Sequence, residues 1–144
     1  MIDVREPRNK KEIECLYKLR WIIMRKPWNQ PRGSEKDELE DKSWNVIALD
    51  GKKVVGTARL HKKSETAGQI RFMCVDEEYR KRGIGKKMID YLHEKAKAIG
   101  LKKIVADVRE SAKEFYLSKG YNITGRGHTL FGEIKHFKME RELT

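Results

Sequence analysis

The sequence predicts an α+β domain, a three-layer arrangement in which helices flank a central mixed, mostly antiparallel sheet with a βαβ core. Three observations lead to this prediction: β-favouring runs separated by turn signals over 45–75, a change from strand to helical spacing across two glycines, and further β-rich runs after residue 103. A chain of 144 residues has the usual size of one domain, so we expect residues 1–144 to form a single unit.

The N-terminal region predicts one helix followed by a long loop. Asn9 and Glu12 have the spacing of a capping box, and apolar residues at helical spacing continue over about 10–25 until Pro27 stops the run. Residues 28–42 are polar and contain further turn signals, which indicates a loop, with or without a short polar helix. Loops of this length are often functional.

The remaining elements follow from alternating β-rich and helical patterns. Three strands form an antiparallel meander around the Asp50-Gly51 hairpin signal, and the third strand leads through a glycine pair into a helix. The strand after this helix completes a βαβ unit, in which neighbouring strands run parallel. The predicted elements are strands over 45–49, 53–60 and 70–75, a helix ended by Gly100, a strand over 103–108, a short helix ended by Gly120, a strand over 121–124, a turn at 125–127 and a final strand region over 130–141 that bends near Gly132.

Composition limits the classes of function. Lysine and arginine total 33 against 22 acidic residues, a formal net charge of +11, which favours anionic ligands. Nucleic acid is one such ligand, but the basic residues are spread along the chain without a helix-turn-helix, zinc-finger or aromatic RNA-binding signature. Cys15 and Cys74 match no disulfide or metal framework, and no apolar run suits a signal peptide or a membrane span. We therefore expect a cytoplasmic protein without a metal, a membrane contact or a nucleic-acid partner.

The turn between the third strand and its helix suits an anion. Its sequence is Arg-Lys-Arg-Gly-Ile-Gly at 80–85, and two glycines one residue apart let the backbone approach a ligand where a helix begins with unpaired N–H groups. Basic residues on both sides add charge to the positive end of the helix dipole, which favours phosphate. A P-loop is not present, since Lys87 occupies the position where that motif needs Ser or Thr. A dinucleotide fingerprint is not present either, since Met88 occupies the position of its third small residue. A basic turn that merely caps a surface helix is the alternative.

Two spaced motifs together resemble the GNAT acetyltransferase superfamily. The order Arg-x-x-Gly-x-Gly at 80–85 is similar to the acetyl-CoA loop of that family, and Phe-Tyr-x-x-x-Gly-Tyr at 115–121 is similar to its Phe-Tyr-x-x-x-Gly-Phe motif. The interval between them holds one helix and one strand, as the fold of that family requires. The resemblance extends over nearly the whole chain and is nearest to the ElaA-like branch of small bacterial and archaeal members. The chain departs from many relatives at Arg109, where they have Asn, and this departure affects an expected contact with the cofactor arm.

The resemblance implies an enzyme that transfers an acetyl group from acetyl-CoA, its co-substrate, to a primary amine of a small molecule or peptide by direct attack in a ternary complex. Backbone amides over 81–86 are then the expected diphosphate cradle. A bulge is expected to free backbone N–H groups over 73–75, where one of them polarises the thioester carbonyl. The expected cofactor contacts are Met73, Cys74, Val75, Arg80, Lys81, Arg82, Gly83, Ile84, Gly85, Lys86 and Tyr116.

The resemblance also assigns catalytic roles. Tyr116 matches the general acid of the family, because a phenol with a pKa of about 10 can protonate a departing thiolate; the alternative is an aromatic residue that packs in the core beside Phe115. His136 is the expected general base, since imidazole titrates near neutral pH; the alternative is a hydrogen-bonded structural histidine. Glu110 and Glu133 are reserve bases.

The acceptor has no sequence signature. Arg20, Trp21 and Trp28 are expected to border its pocket, where an arginine could pair a carboxylate or a phosphate. Cys74 lies in an apolar strand and is expected to pack as a thiol, not to act as a nucleophile. A homodimer through a sheet edge or the last strand is left open. The alternative function, from a different class, is a catalytically silent module of the same fold that senses acyl-CoA.

Overall fold

Seven strands and three α-helices make up the computed structural model, which describes residues 1–143. The strands are β1 (Ile2–Arg5), β2 (Ser43–Asp50), β3 (Lys53–Lys62), β4 (Ala67–Val75), β5 (Lys103–Arg109), β6 (Asn122–Leu130) and β7 (Ile134–Glu142). The helices are α1 (Lys10–Met24), α2 (Ile84–Ala98) and α3 (Lys113–Ser118), with 3-10 turns at Lys26–Trp28, Glu40–Lys42, Glu77–Tyr79 and Glu110–Ala112.

One mixed sheet contains all seven strands in the order β1-β2-β3-β4-β5-β7-β6. β4 and β5 run parallel with α2 as the crossover between them, and every other pair of neighbours in the sheet is antiparallel. The predicted α+β class, the meander and the βαβ unit are therefore confirmed.

Helix α1 begins and ends close to the predicted positions. The side chain of Asn9 accepts a hydrogen bond from the backbone N–H of Glu12 at 2.8 Å, which satisfies one of the unpaired donors at the helix start. The carboxylate of Glu12 does not return to Asn9; it accepts the backbone N–H of Arg8 and pairs with Arg5 at 2.7 Å. The capping box is thus half formed, and its acidic partner links α1 to β1.

Two predictions for the C-terminal strands are wrong. The chain does not turn at 125–127, because β6 continues through this segment and absorbs the glycines in register shifts against β7. It reverses instead at 131–133, where Phe131 and Gly132 both have positive φ, so the predicted bend within one strand is a hairpin between two strands. A Cβ atom built on Gly127 would lie 2.9 Å from the Cβ of His136, so this glycine permits close packing of two strands.

The sheet separates two apolar cores. Helix α2 covers one face with α3, and its buried side chains Met88, Ile89 and Leu92 pack against the central strands. Helix α1 covers the other face, where Leu16 and Leu19 pack with Ile47 and neighbouring residues. A ligand bound between the strands of this sheet would therefore be in contact with both layers.

Candidate active site

Strand β4 contains a bulge that opens the middle of the sheet. Thr57 of β3 lies opposite Cys74, and two residues further along β3 the partner is Arg71, so β4 contains one extra residue between these pairs. Phe72, inside the bulge, has a φ of 57°, a left-handed conformation that is uncommon for an aromatic residue. Neither Phe72 nor Met73 has a cross-strand partner on β3.

The bulge coincides with the point where β4 and β5 separate. Their parallel pairing stops at Ile70 and Ala106, whereas β5 stays paired with β7 as far as Arg109 and His136. Met73 therefore has no partner residue in the ladders on either side. A cavity of about 130 Å³ occupies the gap between the separated strands.

Four guanidinium groups surround the bulged aromatic side chain. The Cζ atoms of Arg20, Arg71, Arg59 and Arg25 lie 4.3, 4.4, 4.9 and 5.7 Å from the ring centre of Phe72, which is buried. Cation–π contacts of this kind contribute about 0.5–2 kcal/mol each, the larger values in desolvated sites, and they hold the ring in place beside the gap.

Tyr116 lies in the wall of this cavity and is also part of the core. Its ring makes edge contacts with Phe115 and Tyr121, with centroids 5.4 and 5.1 Å apart, and its hydroxyl donates to the sulfur of Met73 at 3.7 Å. Burial raises the pKa of Tyr116 above its ordinary value of 10, so the phenol is protonated at neutral pH. The packing alternative made from the sequence therefore describes this side chain, and its catalytic role stays a prediction.

His136 lines the cavity from β7 and has a defined tautomer. Its Nδ1 lies 3.1 Å from the carbonyl oxygen of His128 and 3.0 Å from that of Ile134, and since a carbonyl only accepts, Nδ1 carries the proton. The lone pair is then on Nε2. Burial, together with the His128 ring stacked 4.2 Å away, lowers the pKa of His136 below 6.5 and keeps the imidazole neutral.

The loop before α2 has the backbone geometry of an anion cradle. Lys81 and Gly83 both adopt left-handed conformations, with φ of 63° and 77°, and α2 begins immediately afterwards at Ile84. No side chain caps Gly83, and the first bond of the helix runs from Lys87 N to Gly83 O, so the preceding amides have no helical partner. The space in front of Gly83 is open, because a Cβ atom built there would meet nothing within 4 Å.

Basic side chains border this cradle, and the amides, lysines and arginines together form a donor set that suits a diphosphate. Arg80 donates from Nε to the carbonyl of Val75 at 3.4 Å, and the guanidinium of Arg82 stacks over Tyr79 at 4.9 Å. Lys81 and Lys86 are exposed. The residues present therefore fit the phosphate-rich part of a nucleotide-like ligand.

The two other predicted contacts on β4 face opposite cores. Cys74 is buried in the core under α1, and burial raises the pKa of its thiol to about 12, which keeps it protonated and unreactive. Val75 is half-buried and packs on the opposite core. The side chain of Cys74 is therefore not available to a ligand.

The structure does not bring the predicted acceptor residues to the cavity wall. Arg20 is fully buried and ion-paired with Glu40 at 3.1 Å, and the indole N–H of Trp21 donates to the carbonyl of Gln30 at 2.9 Å. Trp28 stacks on Phe131 at 6.2 Å, beside the rim of the cavity. These roles remain untested predictions, and the buried position of Arg20 favours a structural role for its ion pair.

Four basic residues of the cavity wall, Arg25, Arg71, Arg109 and His128, and the acidic Asp107 were not predicted as site residues. Their proximity depends on the β4 bulge, which only the family resemblance predicted, and on the hairpin at 131–133, where the sequence indicated only a bend near Gly132. The replacement of the expected Asn by Arg109 was the one sequence feature that pointed to a difference here.

Further features of the described residues concern metals and membranes. Within residues 1–143, no group of three or more His, Cys, Asp or Glu side chains is arranged to hold a metal ion. No helix in the same part of the chain combines the length and apolar character needed to cross a membrane.

Comparison with known proteins gives consistent results. The sequence profile of the acetyltransferase (GNAT) family matches residues 13–121. The uncharacterized N-acetyltransferase YjcF of Bacillus subtilis is 27% identical over 135 residues, covering 94% of this chain and 96% of YjcF. An aminoglycoside 6′-N-acetyltransferase solved with coenzyme A superimposes with a TM-score of 0.83 at 18% identity, covering 100% and 97% of the two chains. Escherichia coli ElaA superimposes with a TM-score of 0.82 at 17% identity, covering 99% and 100%.

Proposed function

Since the chain belongs to the acetyltransferase (GNAT) family and is by membership an acyltransferase, we propose that it transfers the acetyl group of acetyl-CoA to a primary amine of a small molecule or peptide. The reaction is direct attack of the amine in a ternary complex. One observation carries the proposal: the bulge at Phe72 adjoins a cavity lined by Tyr116 and His136, and Phe115 of the same wall lies 3.5 Å from a Cβ atom built on Gly85 at the start of α2.

The loop before α2 would hold the co-substrate by its diphosphate. The backbone amides over 81–86 would bind the anion at the helix start, and Arg80, Arg82 and nearby lysines would add positive charge. The fold neighbour that was solved with coenzyme A supports this assignment by analogy. Bound in this way, acetyl-CoA supplies a thioester whose carbonyl carbon can accept an amine.

The backbone N–H of Met73, a residue without a ladder partner, would stabilise negative charge on the thioester oxygen during attack. A preorganised donor of this kind contributes about 3 kcal/mol in acyl-transfer enzymes. The bulge interrupts the pairing of β3 with β4 at this residue, which favours such a role.

Two side chains would move the protons. Nε2 of His136 takes the proton that the amine loses as its nitrogen bonds to the acetyl carbon, and the hydroxyl of Tyr116 gives a proton to the sulfur as the carbon–sulfur bond breaks. Burial raises the pKa of the Tyr116 phenol, so its proton is present at neutral pH for transfer to the departing thiolate.

We further propose that residues 1–144 act as a single domain in the cytoplasm. The two cysteines are free thiols, as a reducing compartment favours. The site described does not require a second subunit, because all of its residues come from one chain.

A thermal unfolding experiment tests the co-substrate assignment. Acetyl-CoA should raise the unfolding temperature, because a ligand that binds only the folded state stabilises it, by about 2.7 kcal/mol at 100 times its dissociation constant. An absence of any shift at millimolar acetyl-CoA would contradict the proposal. Binding without turnover of any amine, in a panel of amino acids, polyamines, aminosugars and peptides, would instead support a sensor of the same fold.

A further inference from the structure

We propose that the acceptor is a small amine that carries a carboxylate, and that Arg109 and Arg25 bind this carboxylate in the gap between β4 and β5. The inference rests on the acetyltransferase function proposed above and adds a substrate class to it. A free amino acid, with its amine and carboxylate a few bonds apart, is the kind of ligand that a cavity of about 130 Å³ can hold.

Arg109 has no partner within the described chain. No hydrogen bond or ion pair joins its guanidinium to any of residues 1–143, and its Nη2 atom is shielded from solvent without an acceptor. Burial lowers the pKa of Arg109 below its ordinary value. A half-buried cation whose shielded Nη2 lacks an acceptor is unfavourable in the free protein, and a carboxylate would supply the missing acceptor through charge-assisted hydrogen bonds.

Arg25 is a second cation without a carboxylate partner. It is buried at the end of α1, where Nε donates to the carbonyl of Ser34 at 2.9 Å and Nη1 to that of Met24 at 3.0 Å, which leaves Nη2 without a partner in the part of the chain described. After burial itself, repulsion from Arg71 and Arg109 is what lowers the pKa of Arg25 most. The two arginines therefore line a common cavity in which positive charge predominates, although Glu35 partly offsets the repulsion at Arg25.

The remaining charged groups of the wall do not neutralise them. Arg71 is already paired with Asp37 at 2.7 Å. Asp107 is the one carboxylate that lines the cavity among the described residues; it is exposed and accepts a bond from Gln69 at 3.4 Å. The cavity wall thus has an excess of positive charge that matches a monoanionic group.

The location of Arg109 fits the proposed chemistry. Val108 packs in the core under α2, and since neighbouring residues of a strand point to opposite faces, Arg109 points to the α1 face. It lies directly across from His136 in the pairing of β5 with β7. A carboxylate held there would place an amine a few bonds away beside Nε2 of His136.

The same charges favour the reactive form of the amine. Positive charge near an ammonium group lowers its pKa, so the cavity would release the proton from a bound acceptor more easily than water does. An amine without an anionic group would meet only this repulsion. The carboxylate is therefore what makes binding of an otherwise cationic acceptor favourable.

Calorimetric titration of matched ligands tests the proposal without measuring turnover. The probes are β-alanine, L-glutamate and L-phenylalanine, and each is compared with the amide in which one carboxylate is replaced by a carboxamide. Spermidine serves as a polycation without a carboxylate. Every titration is carried out both with and without CoA. At least one free carboxylate should bind at least about tenfold more tightly than its carboxamide, as expected for hydrogen bonds to a charged group. Equal affinity within every pair, preference for spermidine, or no carboxylate binding at millimolar concentration would overturn the proposal.

Variants assign the effect to the cavity. Arg109→Gln should remove the preference for the carboxylate, Arg109→Lys should retain part of it, and Arg8→Gln, which removes an exposed arginine from the loop before α1, should leave it unchanged. Preference that survives in Arg109→Gln would overturn the role of this residue. Binding of acetyl-CoA is measured separately by thermal unfolding, so loss of the enzymatic proposal and loss of the carboxylate proposal give different results.

Discussion

The hydroxyl of Tyr116 donates to the thioether sulfur of Met73 across 3.7 Å and has no oxygen or nitrogen acceptor among residues 1–143. A thioether is a weak acceptor. The phenol is therefore protonated, buried and available to a stronger acceptor that enters the gap in the sheet.

Replacing Tyr116 by Phe should lower turnover about 100-fold and change the affinity for acetyl-CoA little, because the hydroxyl acts on the leaving sulfur and the ring keeps its packing. Steady-state kinetics and titration with acetyl-CoA measure the two effects separately. Tyr91→Phe, which removes a hydroxyl bonded to Glu6 at the surface of α2, is the matched control. An unchanged rate in Tyr116→Phe would show that the phenol is not the acid.

The rate should depend on pH through His136. Its pKa is lowered by burial, so Nε2 keeps its lone pair at neutral pH, and kcat/KM should fall only when the pH drops below the ordinary histidine value of 6.5. His136→Gln should lower the rate and remove this decline. A profile that keeps the same acidic limb in His136→Gln would assign the base to another group.

Acid should destabilise the fold through His93. Burial, with Arg141 donating to its Nδ1 at 3.1 Å, lowers the pKa of His93 to about 4, below the unfolded value of 6.5. The stability that this provides is present above pH 6.5 and is lost as the pH falls toward 4, by up to about 3 kcal/mol. Unfolding temperatures of wild type and His93→Gln between pH 7 and 4 measure the effect; parallel profiles would contradict it.

Substitutions at two glycines with the same backbone conformation distinguish the effect of backbone strain on stability from an effect on acetyl-CoA binding. Gly83 and Gly100 have φ of 77° and 87°, and a Cβ atom at either meets nothing within 4 Å. Alanine at each should cost about 1 kcal/mol of stability, because left-handed backbone disfavours a side chain. Only Gly83→Ala should also weaken the stabilisation by acetyl-CoA, since Gly83 begins α2 and Gly100 follows its end. Equal ligand effects in both variants would argue against the cradle.

Removing the unpaired charge should stabilise the ligand-free protein. Arg109→Met replaces a half-buried guanidinium without a counter-charge by an apolar side chain of similar length, and a gain of about 1 kcal/mol is expected. Urea unfolding without ligand measures it, with Arg8→Met as the control. A loss of stability would mean that the side chain of Arg109 stabilises the fold, and would argue against an unpaired charge that binds an anionic ligand.

Local signals in the sequence were sufficient for most of the fold. The cap at Asn9 marks the start of α1 and Pro27 follows its end, while the glycine pair and Gly100 mark the two ends of α2. Both helices, and the parallel pairing of β4 with β5, were therefore predicted. Strand β1 was missed because it spans only four residues, Ile2–Arg5, which pair with the far edge of β2.

Features that depend on strand register were beyond the sequence. Phe72 is an unlikely residue for a positive φ, and it adopts one because buried arginines hold its ring, a tertiary effect without a local pattern. The cluster of Arg25, Arg109 and His128 follows from the bulge and from the hairpin after β6. Glycines at 125–127 indicated a turn, yet the pairing of β6 with β7 overrides that propensity.

The close approach of Gly127 to His136 restricts how the acceptor side could be re-engineered. A methyl group at 127 would press on the Cβ and carbonyl of the residue that carries the imidazole, whereas position 125 has open space around it. A mutagenesis library aimed at new acceptors should therefore leave 127 as glycine, whereas a side chain at 125 meets no such obstacle.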